Sequence, residues 1–181
     1  MAVETSMHIQ AAKVVPGLAP QTMAGAADGD WVSLKGYDRC GIYVYITQGA
    51  ANTTAITVDA ATSVAGANLN AGITLNNWWY ITDTAIGTDA GTNSDTWVKG
   101  TAAAGITSSA TGTGASLYYI QIDADDLLSG TSAMVAATAR YDCIQVKLGA
   151  SNVSNIAAVI YSLGPPRYAQ AVSPTPSAII D

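Results

Sequence analysis

The chain has 181 residues, a hydrophobic share of 49% without a single Phe, a charged share of only 11% and a formal net charge of −6. That balance argues for one packed domain and against a disordered chain. The seven cations (Lys13, Lys35, Arg39, Lys99, Arg140, Lys147 and Arg167) are scattered, which argues against nucleic-acid binding, and no run approaches the ~18 apolar residues of a membrane span.

Residues 1–28 carry Pro16, Pro20 and several Ala and Gly, with no strand-like alternation after Val15. They read as an extended N-terminal arm, within which residues 8–15 have the pattern of an edge strand. Residues 31–34 form a short strand led by Trp31, followed by a turn at Lys35-Gly36. In residues 39–47, Cys40, Ile42, Val44 and Ile46 share one face and Tyr43, Tyr45 and Thr47 the other. Two substantial faces predict a central strand. Residues 53–60 alternate again, with Ile56 and Val58 on one side.

Residues 78–82 are the next strand, closed by Asp83, and residues 96–99 make a short one. Residues 100–115 are almost all Ala, Gly, Ser and Thr around Ile106, which predicts a flexible stretch or one ordered by a partner. Residues 116–123 are a strand with Tyr118, Ile120 and Ile122 together. The Asp-rich run from Asp123 to Gly130 predicts a strand end and a short helical turn. Residues 131–139 suit a short helix or loop. Strands follow at 140–148 and 156–163, and Gly164-Pro165-Pro166 stops the last one. About seven or eight strands with turn signals and no long amphipathic helix predict an all-β fold, a β-sandwich or jelly roll over residues 29–164. Residues 165–181, with Pro174 and Pro176, are a C-terminal tail that forms no ladder.

Catalytic signals are weak. The one histidine, His8, lies in the arm, and zinc-type sites need several Cys and His at short spacing. Asp123, Asp125 and Asp126 would offer carboxylates to Ca²⁺, but the Gly and distal Glu of an EF-hand are lacking. Asp is also favoured at a strand end and helix start. No metal or cofactor is therefore expected. Asn52-Thr-Thr and Asn152-Val-Ser match the glycosylation pattern, but Met1 is followed by no basic start or apolar run of a secretory signal. In Trp78-Trp79-Tyr80 adjacent rings point to opposite faces, so only one side serves as a platform while the other packs. Cys40 shares the face of Ile42 and Val44, whereas Cys143 shares that of Gln145 and Lys147. This parity and the wide spacing set aside an immunoglobulin-type pair and predict two free thiols.

The segment Trp-Val-Ser-Leu-Lys-Gly-Tyr-Asp-Arg at 31–39, the strand ending Ile-Thr-Gln-Gly at 46–49 and Thr-Thr-Ala-Ile-Thr-Val at 53–58 resemble small virion proteins of tailed bacteriophages. The run Ser-Leu-Gly-Pro-Pro-Arg-Tyr-Ala at 162–169 is similar to the end of such proteins, and the resemblance covers residues 29–169. It implies a structural, non-catalytic part of the phage head, most plainly a decoration or cement protein. The expected partner is the major capsid protein, the expected place is the capsid exterior, and the expected state is a homo-oligomer, a trimer being favoured. Interface candidates are His8, Val14 and Val15 in the arm, Trp78, Trp79 and Tyr80, and Arg167 and Tyr168 at the tail. A tail or head–tail-joining protein is the rival within the virion. A carbohydrate-binding or adhesive β-sandwich using the Trp or Tyr face is the rival from another class.

Overall fold

A computed structural model describes residues 12–83, 96–109, 114–127 and 141–166. Among the described residues there are eleven strands: β1 (Lys13–Thr22), β2 (Ala27–Asp28), β3 (Val32–Ser33), β4 (Arg39–Gln48), β5 (Ala55–Ala61), β6 (Asn77–Asp83), β7 (Val98–Lys99), β8 (Ile106–Thr107), β9 (Gly114–Asp123), β10 (Cys143–Leu148) and β11 (Ile156–Leu163). One sheet has the order β1-β11-β4-β9-β6-β7 and the other β2-β10-β5-β8, with β3 beside β2 along β10. All pairings are antiparallel.

The topology follows once β2 and β3 are taken as one interrupted strand and β6–β7 as an added hairpin. Every remaining connection except β5 to β8 then crosses from one sheet to the other, and the sheets read β1-β11-β4-β9 and β2/β3-β10-β5-β8. That is the two-Greek-key arrangement of a jelly roll. The all-β sandwich expected from the sequence is the fold.

Alternation builds the core. Cys40, Ile42, Val44 and Ile46 of β4 and Ile120 and Ile122 of β9 are fully buried, facing Ile56 and Val58 of β5 and Ile144 and Val146 of β10. β4 lies centrally, with Arg39 to Gln48 paired residue by residue against Asp123 to Gly114. The expected short turn after β9 is a 3-10 turn over Ala124–Leu127, whose Leu127 is buried.

Two segments differ from the sequence reading. Residues 13–28, expected as an arm, belong to the body: β1 pairs with β11, β2 pairs with β10, and Met23 is fully buried. Pro16 and Pro20 are tolerated because β1 is an edge strand, where a missing N–H breaks no inner ladder. Residues 100–109, expected to be flexible, are held by backbone pairing. Ala103 bridges Leu75, Ile106 pairs with Ile56 and is buried, and Ser108 N donates to Thr54 O at 2.9 Å. Small side chains there allow close backbone approach. The expectations for residues 131–139, and for the tail beyond Pro166, lie outside the described residues.

The sheets are also joined at one edge by polar contacts. The register of β1 shifts between Pro16 and Leu18, a bulge that turns Gly17 O toward the other sheet, where it accepts from Asp30 N at 2.7 Å. Asp30 lies in the gap between β2 and β3. The gap leaves Val146 N of β10 without a strand partner, and the fully buried Tyr161 of β11 supplies one. Its hydroxyl accepts from Val146 N at 3.1 Å and donates to Asp30 O at 3.1 Å. A Cβ on Gly17 would run into the Tyr161 ring, so glycine there is a packing requirement.

Candidate interaction surface

Antiparallel register lines up side chains across a sheet, and on the outer face of the larger sheet it aligns one row through all six strands. Pro16 is opposite Ile160, Ile160 opposite Tyr43, Tyr43 opposite Tyr119, Tyr119 opposite Trp79, and Trp79 opposite Lys99. The rings touch in sequence. Tyr43 and Tyr119 centroids are 5.0 Å apart, Trp79 and Tyr119 5.7 Å, and Trp97 meets Tyr119 edge-on at 6.3 Å. Lys99 Nζ lies 5.6 Å from the Trp79 centroid, within cation–π range. Gly41 makes room for the row, since a Cβ there would come within 2.8 Å of the Tyr119 ring.

A parallel row, Ala158, Tyr45, Leu117 and Ile81, runs along one side. On the other side lies a polar row of Ser162, Gly41, Gln121 and Asn77. Tyr45 and Ile160 are each 45% exposed and Ile156 is 42% exposed. Contiguous exposed apolar patches mark interaction surfaces more often than scattered apolar residues do.

Electrostatics set this face apart from the rest of the acidic chain. Within these three rows Lys99 carries the only formal charge; Arg39 and Asp123 pair at one sheet end at 4.0 Å, and Asp83, opposite Ala115, stands at the other. Burial pushes the Tyr119 hydroxyl above its ordinary range, reinforced by neighbouring Tyr43. The acidic end beyond β9 differs: burial raises the Asp126 carboxyl, and Asp123 and Asp125 raise it further. Among the described residues, no group of three His, Cys, Asp or Glu is placed to hold a metal ion.

The outer face of the smaller sheet is polar. Lys147 Nζ lies 3.3 Å from Asp59 Oδ2 and 3.9 Å from Asp28 Oδ2, and Gly72 N donates to Asp59 Oδ1 at 2.8 Å. Asp59 is almost fully buried, so this is a structural ion pair under the 62–75 loop. At the end of the sandwich, Asn52 O accepts from Gln48 Nε2, Ser151 Oγ and Asn155 Nδ2 at 3.1–3.2 Å, and Asn152 Nδ2 donates to Asn52 Oδ1 at 3.4 Å. The two glycosylation-like asparagines are thus tied to each other.

The interface candidates divide by parity. Val14 and Trp79 lie on the outer face, and Val14 is 49% exposed. Val15, Trp78 and Tyr80 pack inward against the core, Trp78 fixed by its Nε1 donating to Thr101 O at 2.9 Å. His8, Arg167 and Tyr168 lie outside the described residues. The surface also includes Pro16, Tyr43, Tyr45, Trp97, Tyr119 and Ile160. The second face of β4 was visible in the alternation of Tyr43 and Tyr45, but its union with Tyr119, Trp79 and Ile160 depends on register between distant segments. Both cysteines are free and buried, Cys40 in the core and Cys143 on the opposite sheet. Comparison with protein-family models and with curated proteins finds no match.

Proposed function

We propose that the protein is a structural, non-catalytic component of a tailed-phage head, a decoration protein that binds the major capsid protein lattice from outside and stabilises it as a homo-oligomer. The observation that carries this reading is the nearly charge-free aromatic and aliphatic outer face of the larger sheet, on a chain whose net charge is −6. Such a face fits protein contact, where aromatic rings and aliphatic side chains supply most of the buried area. Net acidity suits the outside of a shell better than its DNA-facing side. Jelly rolls recur in capsid and lectin domains, which is consistent with the reading as analogy of fold alone. An oligomer touching several lattice subunits gains avidity from individually modest contacts.

The test is reconstitution. Purified protein mixed with shells lacking it is expected to co-sediment saturably, at many copies per shell, and to raise the temperature at which shells rupture. Absence of binding to shells, with binding to tails or to the portal vertex alone, would transfer the protein to the tail or head–tail joint.

One observation favours the carbohydrate-binding reading: the Tyr43, Tyr119 and Trp79 rings lie beside the amides of Gln121 and Asn77. The exposed Ile156, Ile160 and Val14 on the same face suit protein better than sugar. Glycan-array binding lost on Trp79→Ala but kept on Trp78→Ala would establish that alternative.

A further inference from the structure

We propose that the outer face of the larger sheet closes on a second copy of this chain across a two-fold axis that lies parallel to β4 and directly over it. This deepens the reading of that face as a protein contact surface and rests on it. The argument is the asymmetry of the row. Its β1–β11 half is aliphatic, Pro16 and Ile160; its β9–β6 half is aromatic, Tyr119 and Trp79; Tyr43 stands at the centre.

A two-fold axis along β4 exchanges the halves while keeping each residue at its own level along the strands. Ile160 then meets Tyr119 of the other copy, Pro16 meets Trp79, and Tyr43 meets its own equivalent. In this row each aliphatic group lands on a ring, and in the next Ala158 lands on Leu117 and Tyr45 on its own equivalent, the self-complementary arrangement that an isologous interface requires. Lys99, outermost in the row, falls beyond the β1 edge of the other copy, so no like charges are buried together. A chain of net charge −6 associates with itself most easily through rows free of acids, and Asp123 and Asp83 stand only at the two ends of the strands.

Size and edges agree. With strands about 4.8 Å apart and successive rows about 6.8 Å apart, the two apolar rows and the polar row beside them cover on the order of 500 Å² per copy. The total of about 1,000 Å² meets the lower bound for a specific interface. Edge-to-edge pairing is the other way for sheets to associate, and the edges are blunted. β1 carries Pro16 and Pro20, β2 and β3 are interrupted, and β7 and β8 have two residues each. The resemblance favours three copies, whereas the two halves of this face satisfy each other with two.

Sedimentation equilibrium on the full chain tests this, with an expected mass of twice 18.4 kDa. Tyr43→Glu sets two carboxylates against each other at the axis and is expected to weaken dimerisation on the order of 100-fold, while Tyr43→Phe leaves it intact. Cross-linking adds a readout independent of dimer strength. With a short bismaleimide, Tyr43→Cys or Tyr45→Cys is expected to yield covalent dimers, and Lys99→Cys only monomers. A monomeric or three-copy mass at tens of micromolar, or cross-linking through Lys99→Cys in place of Tyr43→Cys, overturns the proposal. A monomer that still coats shells sinks this inference and leaves the decoration role standing. A two-fold dimer that never binds shells does the reverse.

Discussion

Replacing Tyr161 by Phe isolates the joint between the sheets. The ring stays, so the core volume is kept, and only the hydroxyl is lost. That hydroxyl accepts from Val146 N and donates to Asp30 O, both at 3.1 Å. Asp30 is exposed, so water replaces the partner of its carbonyl at little cost. Val146 is fully buried and its N–H faces the gap between β2 and β3. An orphaned buried donor costs about 1–3 kcal/mol, so the expected loss is about 2 kcal/mol. For a chain of this size that is roughly 4–8 °C in Tm. Guanidinium unfolding should show a lower midpoint with an unchanged m value. Tyr118→Phe is the comparison. Its hydroxyl accepts from Ser109 N at 3.1 Å at a partly exposed strand end, so its loss should cost about 0.5–1 kcal/mol. A Tyr161→Phe cost below about 0.5 kcal/mol, or equal costs for both variants, would refute the argument that burial of the donor sets the magnitude.

Gly100→Ala drives a methyl into the Trp78 indole; about 1–3 kcal/mol of destabilisation and altered Trp fluorescence are expected, and a neutral variant counts against the Trp78 clamp. Lys147→Met removes the ammonium 3.3 Å from buried Asp59 and should cost about 1–3 kcal/mol, much of it restored by adding Asp59→Asn; additive losses would mean that the pair is not coupled. Burial keeps both thiols protonated in the folded chain, with Cys143 pushed up to about 12 and Cys40 raised further, from an ordinary 9.0. Above pH 9 the unfolded chain binds fewer protons than the folded one. Stability is therefore full below that pH and falls as pH rises toward 12, by at most about 1.4 kcal/mol per pH unit for each thiol. Urea titrations from pH 8 to pH 10.5 should show this slope reduced in a Cys40→Ala, Cys143→Ala double variant; an identical slope would assign the alkaline loss to other groups.

Legibility followed the range of the interactions. β4 and β11 could be read because their own residues alternate cleanly, Cys40 to Ile46 on one side and Tyr43 and Tyr45 on the other. β1 beyond Val15 could not, because Pro16, Gly17 and Pro20 break its alternation; only its start falls in the edge strand expected over residues 8–15. Its strand character comes from β11, whose Ile156 pairs with Thr22 and Leu163 with Lys13. The order of residues 100–109 was equally hidden, since it rests on backbone bonds to Leu75 and Thr54 and not on their own small side chains. For the surface, parity separated Trp79 from Trp78 and Tyr80. The aromatic row was invisible because Ile160, Tyr43, Tyr119 and Trp79 come from four strands whose register is set only in the folded sheet.

The proposed function places the chain on the shell of a tailed phage, and the most direct measurement is a cryo-electron microscopy map of virus particles assembled with it. The account predicts jelly-roll density repeated over the outer surface of the head at lattice positions, in contact with the major capsid protein. Density of this shape confined to the tail or to the single portal vertex, or absent from the particle, would contradict it.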